Sequence, residues 1–296
     1  MPRAMPLSDF RARRRILLRS DFALPGSPSP RQRNKISVTD WFSIVALPDD
    51  VAIQTSGLNG GTLSQLHALW GGWIEMAGLR PGPMWHVMLD AADDFQAGVY
   101  NLMVGYYRLS AAALRSALEL CAIGAAARPA ARRKDFKGWR EGKIELGLGW
   151  AADRLAGAED TLDGRLEQQV QDSLFRRREG SRDGGAVRRL FRRLSDYAHS
   201  RPGFTGAELR GGSNGPIYVP STFDILAGEF FNTFAAGCVL AMVGRPHLIP
   251  PHDFQALLRD GSRVSNATFR GAFELLMAGR ARPHGAAAAR GAPPGW

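Results

Sequence analysis

Residues 84–127 read MWHVMLDAADDFQAGVYNLMVGYYRLSAAALRSALELCAIGAAA. Apolar side chains recur in this stretch every three or four positions, which is the period of a helix that buries one face. We therefore expect one long helix over 84–127, or two helices in line that are broken near Gly98 or Gly105. In either case the stretch is long enough to form the backbone of a helical bundle.

The same helical period recurs along most of the chain. Ser56–Gly61 is expected to be a turn, and Arg128–Lys143 is expected to be a basic linker. No alternation of period two and no βαβ pattern accompanies the helices, which predicts an all-α bundle of about six to eight helices in one domain over residues 36–279. The other predicted helices cover residues 62–78, 146–155, 162–175, 186–199, 223–243, 252–259 and 267–279.

The positive charge of the chain is concentrated near its ends. Of the formal net charge of +10, residues 1–40 carry +6 and residues 280–296 carry +3. We expect a disordered basic arm over residues 1–35 and a disordered tail over residues 280–296. A basic footprint across the whole domain, as in many nucleic-acid-binding proteins, is not present, although basic tails can make non-specific contacts with nucleic acid.

The composition indicates a reducing compartment. The two cysteines, Cys121 and Cys238, lie in apolar helical runs and are expected to be buried free thiols. Ile16–Leu18 is too short for the core of a signal peptide, and no stretch approaches the roughly 18 apolar residues of a membrane span. No spacing typical of metal ligands occurs. We expect a cytoplasmic protein without membrane contact, metal or cofactor.

One stretch gathers polar side chains on a single predicted helix: residues 188–199, RRLFRRLSDYAH. Arg192 lies seven residues before His199, which places the two about 20° apart around a helix. Ser195 is one turn before His199, and Asp196 is close enough to orient the imidazole. Histidine acts as a general acid or base at neutral pH, and guanidinium groups bind phosphate. This combination suits cleavage of RNA through its 2′-hydroxyl group.

A purely structural interpretation is open for each of these groups. His199 at the end of a helix would interact favourably with the helix dipole, beside arginines that face solvent. Arg115 and Glu119 have the spacing of an ion pair on one helix, which would fix the packing of the bundle. In the functional interpretation, Arg115 and Glu119 face His199 across a groove as secondary site residues together with Ser195 and Asp196.

The pattern Arg192-x6-His199, or Arg193-x5-His199, resembles the Arg-x(4–6)-His motif of HEPN proteins (higher eukaryotes and prokaryotes nucleotide-binding). The run from Tyr106 to Glu119 is similar to the first long helix of bacterial HEPN-like proteins, and the resemblance covers roughly residues 86–245. It implies a small helical bundle, and in many members a metal-independent ribonuclease of toxin–antitoxin or phage-defence systems.

The resemblance also implies a catalytic site formed across a homodimer, an RNA or nucleotide ligand, and a partner protein such as an antitoxin. His199 would serve catalysis, with Arg192 or Arg193 as the phosphate ligand. Family members usually have a polar residue after the arginine; Leu194 follows Arg193, whereas Arg193 itself follows Arg192. The choice between the two arginines stays open at this point.

Two other histidines have the same spacing from an arginine, His86 from Arg80 and His252 from Arg245. Prolines lie within both of these segments and interrupt a helix. The His199 copy alone lies on an unbroken predicted helix. A second function is consistent with the same fold, namely a non-catalytic module that binds a partner protein or a nucleotide.

Overall fold

The computed structural model describes residues 42–78, 82–157, 168–176, 184–199 and 216–281. All regular structure within these ranges is helical, which confirms the predicted all-α bundle. These ranges contain ten α-helices, more than the six to eight expected. In chain order they are α1 (Leu47–Ala77), α2 (Pro83–Met103), α3 (Tyr107–Ala126), α4 (Arg133–Arg140), α5 (Leu148–Ala156), α6 (Gln168–Phe175), α7 (Ala186–Ala198), α8 (Pro220–Gly244), α9 (His252–Arg259) and α10 (Ala267–Ala281).

The prediction of one long helix over residues 84–127 is wrong, because the chain reverses direction and forms the antiparallel pair α2 and α3. Of the two breaks considered, the one near Gly105 is observed, whereas Gly98 lies inside α2. Gly105 has a φ of 80°, a conformation that glycine adopts without steric cost. A Cβ atom on this residue would lie 2.4 Å from the carbonyl oxygen of Ile217. Across the pair, the Ser110 hydroxyl donates to the carbonyl of Gly98 at 2.9 Å.

Helix α8 forms the centre of the bundle. Every residue from Glu229 to Val243 is buried, and α1, α2, α3 and α10 all pack against the helix. Phe230 and Phe234 join Phe95 and Trp73 in an aromatic cluster with ring centroids 5.0–5.6 Å apart. A helix that is apolar on all sides has to be surrounded by other elements, which explains its central position.

Helix α1 begins at Leu47 rather than at Thr62, and the turn predicted over Ser56–Gly61 is reduced to a kink within this helix. The three glycines of that segment suggested a full turn, but the chain is helical on both sides of the kink. The chain instead bends at Asn59, which has non-helical angles (φ −126°, ψ 23°). The Asn59 side-chain amide donates to the Tyr218 hydroxyl at 2.8 Å, which fastens the bend to the segment before α8.

The predicted basic linker over Arg128–Lys143 contains α4, which is anchored by the buried side chain of Phe136. The other predicted helices agree with the structure to within a few residues wherever they are described. Residues 162–167 of one predicted helix and the predicted arm over residues 1–35 lie outside the described residues. Of the predicted tail over 280–296, the first two residues belong to α10, and the rest lies outside as well.

Two helices, α3 and α8, are long and apolar enough to span a membrane by length and composition, with mean hydropathies of 1.4 and 1.5. The expectation that no stretch of the chain approaches the length and hydropathy of a membrane span is therefore wrong. The other helices bury 61% and 83% of the most apolar window of α3 and α8, respectively. Core helices of water-soluble bundles pass the same test, because their environment is equally apolar.

The turn at Gly105 leads to a stability prediction. Gly105→Ala should lower the free energy of unfolding by at least about 2 kcal/mol, because it combines a left-handed conformation with a clash against backbone. Gly71→Ala is the matched control, because it makes the same substitution inside α1, where a Cβ would meet no atom within 4 Å. This control should be neutral or stabilising by up to about 1 kcal/mol. Urea unfolding monitored by circular dichroism measures both, and equal changes would contradict the role of Gly105.

Candidate functional site at the edge between α3 and α7

Helix α7, which carries the predicted site, is amphipathic and packs closely on its neighbours. Val187, Leu190 and Leu194 are buried and face the core. The helix begins after Gly185, where a Cβ atom would lie 2.3 Å from the backbone of Leu174, so glycine permits the close approach to α6. At the other end, the N–H of His199 donates to the carbonyl of Ser195 at 2.8 Å and closes the last turn.

Two arginines of α3 contact the last two turns of α7. The Nε of Arg115 donates to the Ser195 hydroxyl at 2.9 Å, and its guanidinium lies 4.5 Å from the centre of the Phe191 ring. Two turns earlier on α3, the Nη2 of Arg108 donates to the carbonyl of Ala198 at 3.4 Å. The two helices are therefore joined along one edge by the arginines of α3, and Arg115 lies against Ser195.

Arg193 lies on the other side of α7 and pairs with Glu229 of α8. Its Nε and Nη2 donate to the two carboxylate oxygens at 2.6 and 3.0 Å, which is the bidentate geometry of a strong ion pair. Glu229 is only 9% exposed and also accepts a bond from Asn232 at 3.5 Å. The hydrogen bonds to Glu229 raise the pKa of Arg193, whereas burial of the guanidinium lowers it. This arginine therefore satisfies a buried acid of the core.

Arg192 and His199 both lie on the exposed side of α7. Arg192 lies within α7, whereas His199 is the first residue after the helix and has extended angles (φ −91°, ψ 124°). Ser195, between them in sequence, faces α3. Arg188, on the same side one turn earlier, forms an ion pair with Asp153 of α5. The structure thus exposes Arg192 and His199, leaves Ser195 half-buried against α3, and turns Arg193 toward α8.

Glu119 and Asp196 occupy positions that differ from their predicted roles. The ion pair expected between Arg115 and Glu119 is not formed, because Glu119 Oε1 accepts the N–H of Leu148 at 2.7 Å. Leu148 is the first residue of α5, so Glu119 satisfies a free amide at a helix start, where negative charge is favoured. Asp196 is half-buried, and within the described ranges it forms no hydrogen bond with His199.

The sequence did not indicate the partner of Arg193. Glu229 is an acidic residue inside an otherwise apolar predicted helix, and such a residue is buried only when it is paired. That signal was available in the sequence, but the identity of the basic partner depends on how α7 packs on α8. Phe191, whose ring lies under Arg115, was also missed.

Of the two competing copies of the motif, the one whose arginine and histidine are both described does not place them on one helix. Arg245 follows the end of α8 and donates from Nη1 to the carbonyl of Ala77, whereas His252 begins α9. His86 is in the first turn of α2, and Arg80 lies outside the described residues. The interruption predicted from the prolines is confirmed for the copy that ends at His252.

The two adjacent arginines of α7 should differ in their effect on stability. Arg193→Ala leaves Glu229 without its partner and should lower the free energy of unfolding by about 1–3 kcal/mol. Arg192→Ala, on the exposed side, should change it by about 0.5 kcal/mol or less. The double variant Arg193→Met/Glu229→Leu should recover most of the loss, because it removes both charges from the core. Urea titration tests all three, and equal effects of the two alanine variants would refute the structural role of Arg193.

Comparisons with protein-family models, with curated proteins and with solved structures find no match to this chain. The resemblance to HEPN proteins therefore stays a prediction that is drawn from the residues themselves. The arrangement of α3 and α7 is the basis for the function proposed below.

Proposed function

We propose that this chain is a HEPN-like helical protein that cleaves RNA without a metal ion, at the edge between α3 and α7. The observation that carries the proposal is the contact between Arg115 and Ser195, because it joins a second helix to the edge that presents Arg192 and His199. A general acid or base and a guanidinium group are then exposed next to a second guanidinium group and a hydroxyl, both half-buried.

The chemistry assigned to these groups is transfer of a phosphoryl group within the RNA chain. His199 accepts the proton of a ribose 2′-hydroxyl, and the resulting oxygen attacks the adjacent phosphorus while the bond to the 5′-oxygen breaks. The leaving oxygen takes up a proton, so the products end in a 2′,3′-cyclic phosphate and a 5′-hydroxyl. Arg192 holds the phosphate and stabilises the charge that develops on it.

Arg115 is suited to assist in the same step. Its Nε is used by Ser195, and within the described part of the chain neither Nη group has a hydrogen-bond partner. A guanidinium that is fixed at one nitrogen and open at two others can hold a phosphate with little loss of side-chain freedom. The stacking on Phe191 fixes its plane further.

The proposal includes a homodimer, because one chain supplies a single histidine to a reaction that needs both a base and an acid. A two-fold axis beside His199 would bring a second imidazole to the same phosphate. We place the protein in the cytoplasm, in a toxin–antitoxin or phage-defence system, with a partner protein that restrains it. These elements come from the family resemblance.

A second candidate is a module of the same fold that binds a nucleotide or partner without cleaving RNA. It is favoured by the position of Asp196, which in the described residues does not contact the imidazole of His199. Catalytic histidines are commonly oriented by a hydrogen-bonded group, and the described part of the chain supplies no such group to His199.

Cleavage of a fluorescent single-stranded RNA in excess EDTA separates the two candidates. The wild type should yield products with cyclic phosphate ends. The same oligonucleotide with 2′-deoxy sugars should not be cleaved, because it lacks the attacking hydroxyl. His199→Ala should lower the rate by about 10²–10⁴-fold and Arg192→Ala by about 10²-fold, because the first removes the proton-transfer group and the second a phosphate ligand.

His252→Ala is the matched control, since His252 is also exposed and follows an arginine at the same spacing. Its rate should equal that of the wild type. Full activity in His199→Ala would eliminate the ribonuclease proposal. Tight binding of RNA by a wild type that leaves the RNA intact would support the binding module instead.

A further inference from the structure

A second basic site lies at the other end of α3, away from His199. A cavity of about 480 Å³ opens between the start of α2, Gly82–His86, and the helix α4 with Glu141 after it. Cavities of this size hold small ligands such as a nucleotide. The residues that surround it include three cations, Arg133, Lys137 and Arg140.

The three cations lie on one face of α4. Their spacing of four and then three residues keeps them within one stripe of the helix surface. Phe136 beside them is buried and fixes the rotation of this short helix. All three cationic side chains are exposed and line the cavity, together with one acid, Glu141.

Among the described residues, neither Arg133 nor Arg140 forms a hydrogen bond or ion pair through its side chain. The acid at the cavity, Glu141, is engaged by lysines: its carboxylate lies 2.6 Å from the Nζ of Lys143 and 3.8 Å from that of Lys137. Like charges on one helix face repel each other, so this arrangement lowers the stability of α4 unless an anion offsets it.

The opposite wall of the cavity, the start of α2, lies in the positive field of Arg140. Burial lowers the pKa of His86, and the charge of Arg140 lowers it further, whereas Asp90 one turn along α2 acts in the opposite sense. The first turn of α2 contains no acidic residue and no side-chain cap, so its free N–H groups add partial positive charge to the same space. Two elements that are separate in sequence therefore present positive potential to one cavity.

We propose that this cavity is a phosphate-binding site, in which Arg133 and Arg140 hold the phosphoryl group of a nucleotide or of an RNA chain. Guanidinium groups pair with phosphate oxygens in bidentate geometry, and the cavity is wide enough for the group that carries the phosphate. The site is separate from the edge between α3 and α7. Arg108 lies at the end of α3 near the first site, and Ala126 lies at the end near the cavity. These two residues are roughly 27 Å apart along the helix, so one phosphate cannot contact both sites.

The first test is binding of inorganic pyrophosphate to the full-length protein by isothermal titration calorimetry, at constant ionic strength set with sodium chloride. The wild type should bind saturably. Arg133→Ala and Arg140→Ala should each weaken binding about tenfold, because each removes a charge-assisted hydrogen bond. Glu141→Gln should tighten binding roughly two- to fivefold, because it removes negative charge from the cavity wall.

Lys134→Ala is the matched control. Lys134 is the neighbour of Arg133, is equally exposed on α4 and lies away from the cavity, and its loss changes the net charge by the same amount. It should weaken binding by less than about twofold. Circular dichroism and thermal unfolding without ligand verify that each variant is folded. Absence of saturable binding to the wild type, or an equal loss in Lys134→Ala, would overturn the proposal.

Competition experiments then identify the source of the phosphate. One oligonucleotide is prepared with 2′-O-methyl sugars, which cannot be cleaved, and with either a phosphate or a hydroxyl at its 5′ end. Displacement of pyrophosphate by both forms would assign internal phosphodiesters of RNA, and displacement by the phosphorylated form alone would assign a terminal phosphate. Displacement by neither would assign a small phosphorylated molecule. Because these oligonucleotides are not cleaved, the outcome is independent of any activity at His199.

Discussion

The ion pair between Arg193 and Glu229, together with the buried Leu190 and Leu194, fixes which side of α7 faces solvent. Glu229 is part of α8, which other helices cover on all sides, and a carboxylate in such surroundings is strongly unfavourable without a charged partner. Only one arginine of α7 reaches it in bidentate geometry. With that residue turned toward α8, the helical period turns Arg192 and His199 outward and Ser195 toward α3. The position of the candidate site thus follows from the pairing of the buried Glu229 carboxylate with Arg193.

The helical architecture could be predicted from the sequence because apolar period alone identifies helices that bury one face. Prediction failed where tertiary contacts decide the backbone. Gly57, Gly60 and Gly61 predicted a full turn, but the chain only bends there, at Asn59. Gly105, with the same intrinsic preference, does reverse the chain, because the backbone of Ile217 leaves no space for a side chain. Glycine marks a place where a helix can end, and packing decides whether it does.

The candidate site could be predicted in part, for a related reason. Spacing along one helix predicted that Arg192 and His199 lie near each other, and both are exposed. Spacing could not decide between Arg192 and Arg193, because that choice depends on the rotation of α7 against α8. It also assigned Glu119 to Arg115, although Glu119 interacts with the first amide of α5. Contacts between helices that are distant in sequence depend on packing, which the linear spacing of residues does not report.

The same ion pair has a consequence for how related sequences can diverge. A carboxylate at position 229 and a guanidinium at position 193 are each unfavourable without the other, so a lineage that exchanges one has to exchange the other or accept a weaker fold. Positions 193 and 229 should therefore covary as a structural pair. Positions 192 and 199 have no such packing tie to each other, and any correlation between them would report selection on chemistry. Covariation among homologous sequences can therefore distinguish the structural role of Arg193 from a chemical role of Arg192 without any biochemical assay.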